Sequence, residues 1–302
     1  MLSSRNCAAF IAVAETGSFE KAASCLSITA SAVTLRVQNL EKSLGQTLIV
    51  RERPCRPTAK GQILFEYLQH QQLQEQQVLH QLRGKNDSSN FYQVKVATNA
   101  DSLETWLLPR IQPLLLQQQM TLHLHIDDQS HTHQLMESGQ VNACISSIAT
   151  PMKGCQSQLI MNMRYALVCT PAFKARWFQQ ECSREQFRRA PAVVFNDKDQ
   201  LHDEVMRQHF GLTMHTYPYF YVPSSAAFVQ AIKLGLSYGM VPELQIQQEL
   251  AQQQLIRLLP QVYVDVPLYW HHWKSQSEQL HLLTQIILEQ GQTLASTQLI
   301  GR

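Results

Sequence analysis

The 302-residue chain lacks the segments by which membrane and secreted proteins are recognised. It has no apolar run near the roughly 20 residues that a membrane-spanning helix needs. The short apolar stretch near its N-terminus contains Glu15 and has a helical period, which is atypical of a signal peptide. A cytoplasmic location is therefore predicted, and no contact with a membrane is expected.

The sequence also lacks the motifs of common catalytic and metal sites. It has no G-x-x-x-x-G-K-[ST], G-x-G-x-x-G, H-E-x-x-H or G-x-S-x-G, so nucleotide, zinc-protease and hydrolase functions lack their key residues. None of its seven cysteines stands in a C-x-x-C pair, which predicts reduced thiols that form neither disulfides nor a metal site. His123 and His125 share one face of a predicted strand, but no cysteine or acid stands nearby at ligand spacing. We predict no metal, no other cofactor and no enzymatic activity.

Charge is distributed unevenly along the chain. Residues 1–60 carry eight basic and four acidic side chains, a net charge of +4, whereas the rest carries 17 basic and 19 acidic ones, a net charge of −2. A chain of this length most naturally holds two or three domains. A basic N-terminal domain on a slightly acidic body suggests a polyanionic partner for that domain alone.

Three apolar stripes in the first 45 residues each have the period of an amphipathic helix. They begin at Cys7, Phe19 and Val33, and the breaks Gly17-Ser18 and Ser27-Ile28-Thr29 separate them. The turn of about three residues between the second and third stripes is the length that a helix-turn-helix requires. A plain three-helix bundle with a solvated outer face fits the same periodicity.

The outward face of the third helix and the stretch after it favour DNA binding. The outward residues are short or polar enough for a close approach to base edges, and they are Ser31, Thr34, Leu35 and Gln38. A short strand over residues 47–50 leads into three arginines among prolines, Arg51, Arg53 and Arg56. Arginines on such a rigid tip suit phosphate or minor-groove contact, as in the wing of a winged helix.

From about Ala14 to Gly61 the chain follows the pattern AxxGSFEKAAxxLxITxSAVTLRVQNLEKSLGxxLxVRxxxxRPTxxG. This pattern resembles the DNA-binding end of LysR-type transcriptional regulators. The resemblance implies double-stranded DNA as a partner. It places Ser31, Thr34, Arg36 and Gln38 in the major groove, and Arg51, Arg53 and Arg56 at the backbone or minor groove. Ala30 and Leu35 stand where the family commonly has a glutamine and a polar or basic residue, which reduces the hydrogen bonds available to bases.

Residues 61–90 are predicted to be a linker. A helix without Gly or Pro after Gly61 runs to Arg83, and the flexible segment GKNDSSN follows. Such a helix forms the dimer interface in LysR-type proteins, so the resemblance implies a homodimer or a dimer of dimers.

Residues 91–302 alternate strand and helix patterns, which predicts parallel α/β sheets with ligands beyond the carboxyl ends of the strands. Four stretches of this region are similar to the arginine/lysine-responsive subgroup of LysR-type regulators. They are VATNADSLETWLLP, SSAAFVQ, GMVPELQI and LYWHHW. The family's effector domain has the two-lobed α/β fold of periplasmic solute-binding proteins. The expected architecture is therefore a winged helix-turn-helix (1–60), a linker helix (61–90) and a two-lobed effector domain (91–302). Lobe I is expected over about 91–164 and 267–302, and lobe II over about 165–266.

Candidate effector ligands stand at predicted strand ends and helix starts. Hydroxyls at helix N-termini suit a carboxylate, and acids at strand ends suit a cation. The candidates are Asp101, Ser102, Asp127, Asp128, Asn196, Asp197, Ser224 and Ser225. Each of them alone fits a helix cap or a solvated loop as well. Their joint placement, with the subgroup resemblance, predicts L-lysine or L-arginine as the effector.

The resulting hypothesis is a LysR-type regulator of amino-acid transport or metabolism genes, with RNA polymerase as a further candidate partner. Two other interpretations stay open. One is an architectural or replication-origin DNA-binding protein without an effector. The other is a cytosolic solute-binding protein built on the same two-lobed body, which the predicted winged helix disfavours.

Overall fold

A computed structural model describes residues 2–83, 91–127, 132–137, 140–178, 182–196 and 200–300. The N-terminal domain contains three helices and a two-stranded antiparallel wing. These elements are α1 (Ser4–Thr16), α2 (Phe19–Leu26), α3 (Ala30–Leu44), β1 (Ile49–Val50) and β2 (Arg56–Pro57). No helix within the described ranges is long and apolar enough to cross a membrane.

Local signals in the sequence set the bounds of these helices. The Ser18 hydroxyl accepts a hydrogen bond from the Lys21 amide at 3.3 Å, and the Thr29 hydroxyl accepts one from the Ala32 amide at 3.2 Å. Both residues satisfy amides that have no partner inside the helix. Gly45 ends α3 at a φ of 63°, in the left-handed region where glycine is least strained. The predicted turn between α2 and α3 is confirmed.

A long helix, α4 (Ala59–Arg83), follows the wing. Gly61 lies in its first turn against the backbone of Leu48, where a Cβ atom would stand 2.0 Å from the Leu48 carbonyl oxygen. Only a glycine permits this contact between the helix and the strand segment before the wing. The predicted flexible segment, residues 84–90, lies outside the described residues.

The rest of the chain is a mixed α/β body. Its strands are β3 (Tyr92–Thr98), β4 (Met120–Ile126), β5 (Ala143–Ser146), β6 (Cys155–Cys169), β7 (Ala192–Val194), β8 (Tyr219–Tyr221), β9 (Gly239–Pro242), β10 (Ile256–Arg257) and β11 (Tyr263–Trp273). Its helices are α5 (Ala100–Ser102), α6 (Leu108–Gln117), α7 (Thr132–Glu137), α8 (Pro171–Trp177), α9 (Arg184–Phe187), α10 (Gln200–Phe210), α11 (Ser225–Lys233), α12 (Gln247–Ala251) and α13 (Glu278–Ile300). A π-helical turn, Leu103–Leu107, connects α5 to α6.

The sheets are only partly parallel, which corrects the expectation from the alternating pattern. β3 pairs in parallel with β4 and β5, and β7 pairs in parallel with β8. By contrast, β6 pairs antiparallel with β9, β10 and β11, and β11 pairs antiparallel with β5. The reason is that β6 and β11 are long strands that pair with each other along most of their length and are shared by both halves of the body. The predicted lobe boundaries, 164/165 and 266/267, fall inside these two strands.

The two domains have separate hydrophobic cores. Phe10, Val33, Val37 and Leu40 belong to the N-terminal cluster, and Trp106 and Trp270 to the main cluster of the body. None of the seven cysteines, all in described segments, is disulfide-bonded. Burial raises the pKa of the Cys155 and Cys169 thiols to about 12, so both stay neutral and unreactive near pH 7.

Candidate functional site

A cleft opens in the body beside the carboxyl end of β3. Its inner part is lined by Asn99, Ala100, Asp101, Asp127, Tyr165, Phe195, Leu201, Ser225, Phe228, Met240, Val241, Pro242 and Gln245. Its mouth adds Leu103, Glu104, Ile126, Asn196, Pro223 and Ser224. These residues come from both halves of the body, so the cleft lies where the two lobes meet. That is the usual position of a ligand site in this kind of fold.

The Asp101 carboxylate is held inside the cleft by hydroxyl groups from two other segments. Tyr165 on β6 donates a hydrogen bond to Oδ2 at 2.6 Å, and Ser225 at the start of α11 donates one to Oδ1 at 2.7 Å. The Ser225 hydroxyl also lies 3.2 Å from Oε1 of Gln245. Hydrogen bonds to a carboxylate stabilise its charged form. Asp101 therefore joins the first helix of one lobe to α11 of the other.

Asn99 is a buried amide at the inner wall of the cleft. Its side chain is 2% exposed, and neither Nδ2 nor Oδ1 has a hydrogen-bond partner among the described residues. Buried amide groups without a partner cost free energy, and they are rare in native structures. An amide that both donates and accepts can bind a polar ligand in the cleft.

The cleft is lined by both acidic and apolar side chains. Asp101, Asp127 and Glu104 are acidic, and the described lining contains no lysine, arginine or histidine. Phe195 and Phe228 line the inner part together with aliphatic side chains. Carboxylates and aromatic faces both attract cations, and the apolar wall suits a hydrocarbon stem. The arrangement favours an elongated ligand with a positively charged end.

The structure brings most of the predicted effector residues to this cleft. Asp101 and Ser225 are bonded to each other inside it, Asp127 is shared by the inner part and the mouth, and Asn196 and Ser224 line the mouth. Ser224 also caps α11, because its hydroxyl accepts a hydrogen bond from the Ala227 amide at 3.4 Å.

Three predicted effector residues are not seen in the cleft. Ser102 is fully buried, its hydroxyl has no partner among the described residues, and it lines neither the inner part nor the mouth. Asp128 and Asp197 lie outside the described residues. Sequence reasoning also missed Tyr165 and Gln245, since both come from elements distant in sequence from Asp101.

The outward face of α3 is an exposed stripe, here called the α3 stripe, formed by Ser31, Thr34, Leu35 and Gln38. Ser31 and Gln38 are exposed, and Leu35 is 58% exposed. Thr34 is half-buried, and its hydroxyl donates to the Ala30 carbonyl at 2.9 Å. Arg36 is half-buried and lies off the stripe, because a helix turns about 100° per residue.

The wing carries its three predicted arginines at exposed positions. Arg51 lies 5.4 Å from the Phe19 ring and 3.7 Å from a Glu41 carboxylate oxygen. Arg56 pairs with Glu52 at 2.7 Å, and Arg53 is exposed at the tip. The Arg56–Glu52 pair is exposed, and exposed ion pairs contribute at most about 1 kcal/mol, so a phosphate group can replace the Glu52 carboxylate. The α3 stripe and the wing together form a surface suited to a polyanion.

Metal binding finds no support in the described ranges, where no group of three or more His, Cys, Asp or Glu side chains is placed to hold an ion. The ring of His123 forms a hydrogen bond with the Gln93 amide at 2.8 Å.

Comparison with known proteins identifies both domains. The family described as "Bacterial regulatory helix-turn-helix protein, lysR family" matches residues 4–62, and "LysR substrate binding domain" matches residues 90–292. The HTH-type transcriptional regulator ArgP of Photobacterium profundum is 38% identical over 282 residues, which cover 93% of this chain and 94% of that protein.

Two solved structures are similar over almost the whole chain. The crystal structure of ArgP from Mycobacterium tuberculosis has a TM-score of 0.80 at 31% identity and covers 96% of this chain and 98% of its own. Full-length LysG from Corynebacterium glutamicum with bound effector Arg has a TM-score of 0.77 at 28% identity, with the same coverage. The chain therefore belongs to the LysR family of DNA-binding transcriptional regulators, and its two-lobed body is the family's substrate-binding domain.

Proposed function

We propose that this regulator is switched by a basic amino acid, L-lysine or L-arginine, bound in the cleft. The observation that carries the proposal is the Asp101 carboxylate, which lies between the two lobes in a lining that is acidic and contains no described basic residue. LysG, which is 28% identical to this chain, was solved with Arg bound as its effector, and this supports the same class of ligand here.

The geometry suggests how binding would act on the protein. The side-chain cation would approach Asp101 or Asp127, while the α-carboxylate would approach the N-terminus of α11, whose amides favour anions. Because Asp101 and Ser225 belong to different lobes, a ligand at this point would alter the contact between them. Such a ligand shifts the balance of conformations only as far as it binds one of them better.

Thermal melting of the purified protein with each of the twenty amino acids in large excess tests the effector. We expect lysine or arginine alone to raise the melting temperature, since a ligand that binds only the folded state stabilises it by mass action. If none of the twenty raises it, the effector proposal fails and an architectural DNA-binding role becomes the better interpretation. Norleucine has a similar stem but no side-chain cation, and it serves as the matched negative ligand.

We further propose that the regulator acts in the cytoplasm as a homodimer or dimer of dimers on double-stranded DNA, with RNA polymerase as a candidate partner. The target genes would serve amino-acid transport or metabolism. Support for self-association comes from α4, where Ile63 is 63% exposed and Tyr67, one turn later, is 56% exposed. Two neighbouring apolar side chains on a long exposed helix are expected to be covered by a partner helix.

Replacing Thr34 and Gln38 together by alanine should weaken specific DNA binding at least about tenfold, because each good contact to a base edge contributes about 1–3 kcal/mol. The melting temperature should stay within about 1 °C of the original value, since both side chains lie outside the buried core and surface changes cost little. Fluorescence anisotropy with labelled operator DNA and a thermal scan measure the two quantities.

The matched control is Ser43→Ala on the same helix. The Ser43 hydroxyl donates to the Leu40 carbonyl at 2.8 Å, as Thr34 does to Ala30, but Ser43 lies off the α3 stripe. It should leave DNA affinity unchanged. A double variant that melts early would mean instead that Thr34 and Gln38 support the fold.

A further inference from the structure

We propose that the cleft recognises the cationic group of its ligand without needing an α-carboxylate, so that linear diamines and other decarboxylated basic amino acids also bind there. This inference rests on the proposed function of the cleft as the effector site. It widens the class of effector from basic amino acids to basic amines.

The first argument is the balance of charge around the ligand. Asp101, Asp127 and Glu104 line the cleft, and the described lining offers no cationic side chain to offset a carboxylate brought in by the ligand. Coulomb repulsion between like charges within a few ångströms is strong wherever water is partly excluded. A ligand that is wholly cationic meets only attraction from these side chains.

The second argument is that the hydroxyl groups beside Asp101 already donate their hydrogen bonds to its carboxylate. Tyr165 and Ser225 both donate to Asp101, at 2.6 and 2.7 Å. The Ser225 hydroxyl is thus already donated to Asp101, so a ligand carboxylate at the start of α11 gains no hydrogen bond from it and is not required for binding there. A ligand cation can add to this arrangement, because a carboxylate oxygen accepts more than one hydrogen bond.

The third argument is the remaining wall of the inner cleft. Phe195 and Phe228 present aromatic side chains to a cation and to a methylene stem, as diamines possess. Asn99, 2% exposed and without a hydrogen-bond partner for either amide atom among the described residues, adds a carbonyl oxygen that can accept from a second ammonium group. Both ends of a diamine therefore find acceptors.

The test is isothermal titration of the full-length protein with L-lysine, L-arginine, 1,5-diaminopentane and agmatine, with norleucine as the ligand that keeps the carboxylate but lacks the side-chain cation. We expect the two decarboxylated compounds to bind with Kd values within about tenfold of their parent amino acids. Norleucine should give no heat of binding. Unlabelled 1,5-diaminopentane should displace radiolabelled lysine, which places both in one site.

The outcomes separate this inference from the proposed function. Binding of lysine or arginine without binding of either amine overturns the inference and leaves the amino-acid effector intact. Binding of the amines alone supports the inference and removes the amino acids as effectors. Binding of norleucine overturns the inference because the carboxylate would then be sufficient, and a failure of all five compounds to bind overturns both proposals.

Discussion

Replacing Asp101 by asparagine should weaken lysine or arginine binding about a hundredfold, since loss of one partner of a desolvated charge pair costs on the order of 3 kcal/mol. Asparagine keeps the size of the side chain and one oxygen, so Tyr165 or Ser225 can still donate to it. The fold should therefore survive, and operator DNA should bind with unchanged affinity. Isothermal titration with lysine and arginine measures the affinity for the amino acids, and fluorescence anisotropy with labelled operator DNA measures the affinity for DNA.

Glu185→Gln is the matched control for this change. Glu185 lies at the surface of α9, where it pairs only with exposed Arg188 and Arg189 among the described residues. The Glu185→Gln substitution removes one negative charge from the same domain and should leave amino-acid binding unaltered. If Asp101→Asn binds lysine and arginine as the original protein does, Asp101 is not part of the site. The same substitution at Asp128, predicted from the sequence, tests a residue outside the described structure.

Replacing Gly61 by alanine should destabilise the N-terminal domain by about 3 kcal/mol and abolish operator binding, because overpacking against a backbone atom leaves little room for relaxation. The new Cβ would stand 2.0 Å from the Leu48 carbonyl oxygen and 2.9 Å from its carbon. Either α4 or the segment leading into the wing must then move. Calorimetry should show the transition of the N-terminal domain at a lower temperature, while lysine or arginine still stabilises the body.

Lys60→Ala, at the neighbouring exposed position, is the control for the helix itself. Alanine has high helix propensity, so this change should leave the N-terminal domain as stable as before. Gly61→Ala with full operator affinity and an unchanged transition would show that the contact between α4 and Leu48 relaxes at little cost.

The N-terminal domain was predictable because its signals are local. Ser18, Thr29 and Gly45 act on residues within one helical turn, and the apolar stripes fix which faces meet. The partners of the wing arginines were not predictable in the same way. Arg51 meets Phe19 and Glu41, which are separated from it by 32 and 10 residues, and no periodic pattern connects such positions.

The cleft was only partly predictable, for a related reason. Asp101 and Ser225 could be found because each stands at the start of a helix after a strand. Tyr165 could not, since it lies inside the 15-residue strand β6 and not at the start of a helix. Ser102 follows Asp101 directly, yet consecutive residues on a helix point about 100° apart, and its side chain is buried instead.

The length of β6 and β11 bears on how the body unfolds. Both strands pass from one lobe to the other, and they pair from Tyr263 with Ala166 to Trp273 with Cys155. Because this ladder runs through both lobes, unfolding of one lobe removes strand pairing that continues into the other. The substrate-binding domain should accordingly behave as one cooperative unit in hydrogen exchange, with the most protected amides along β6 and β11.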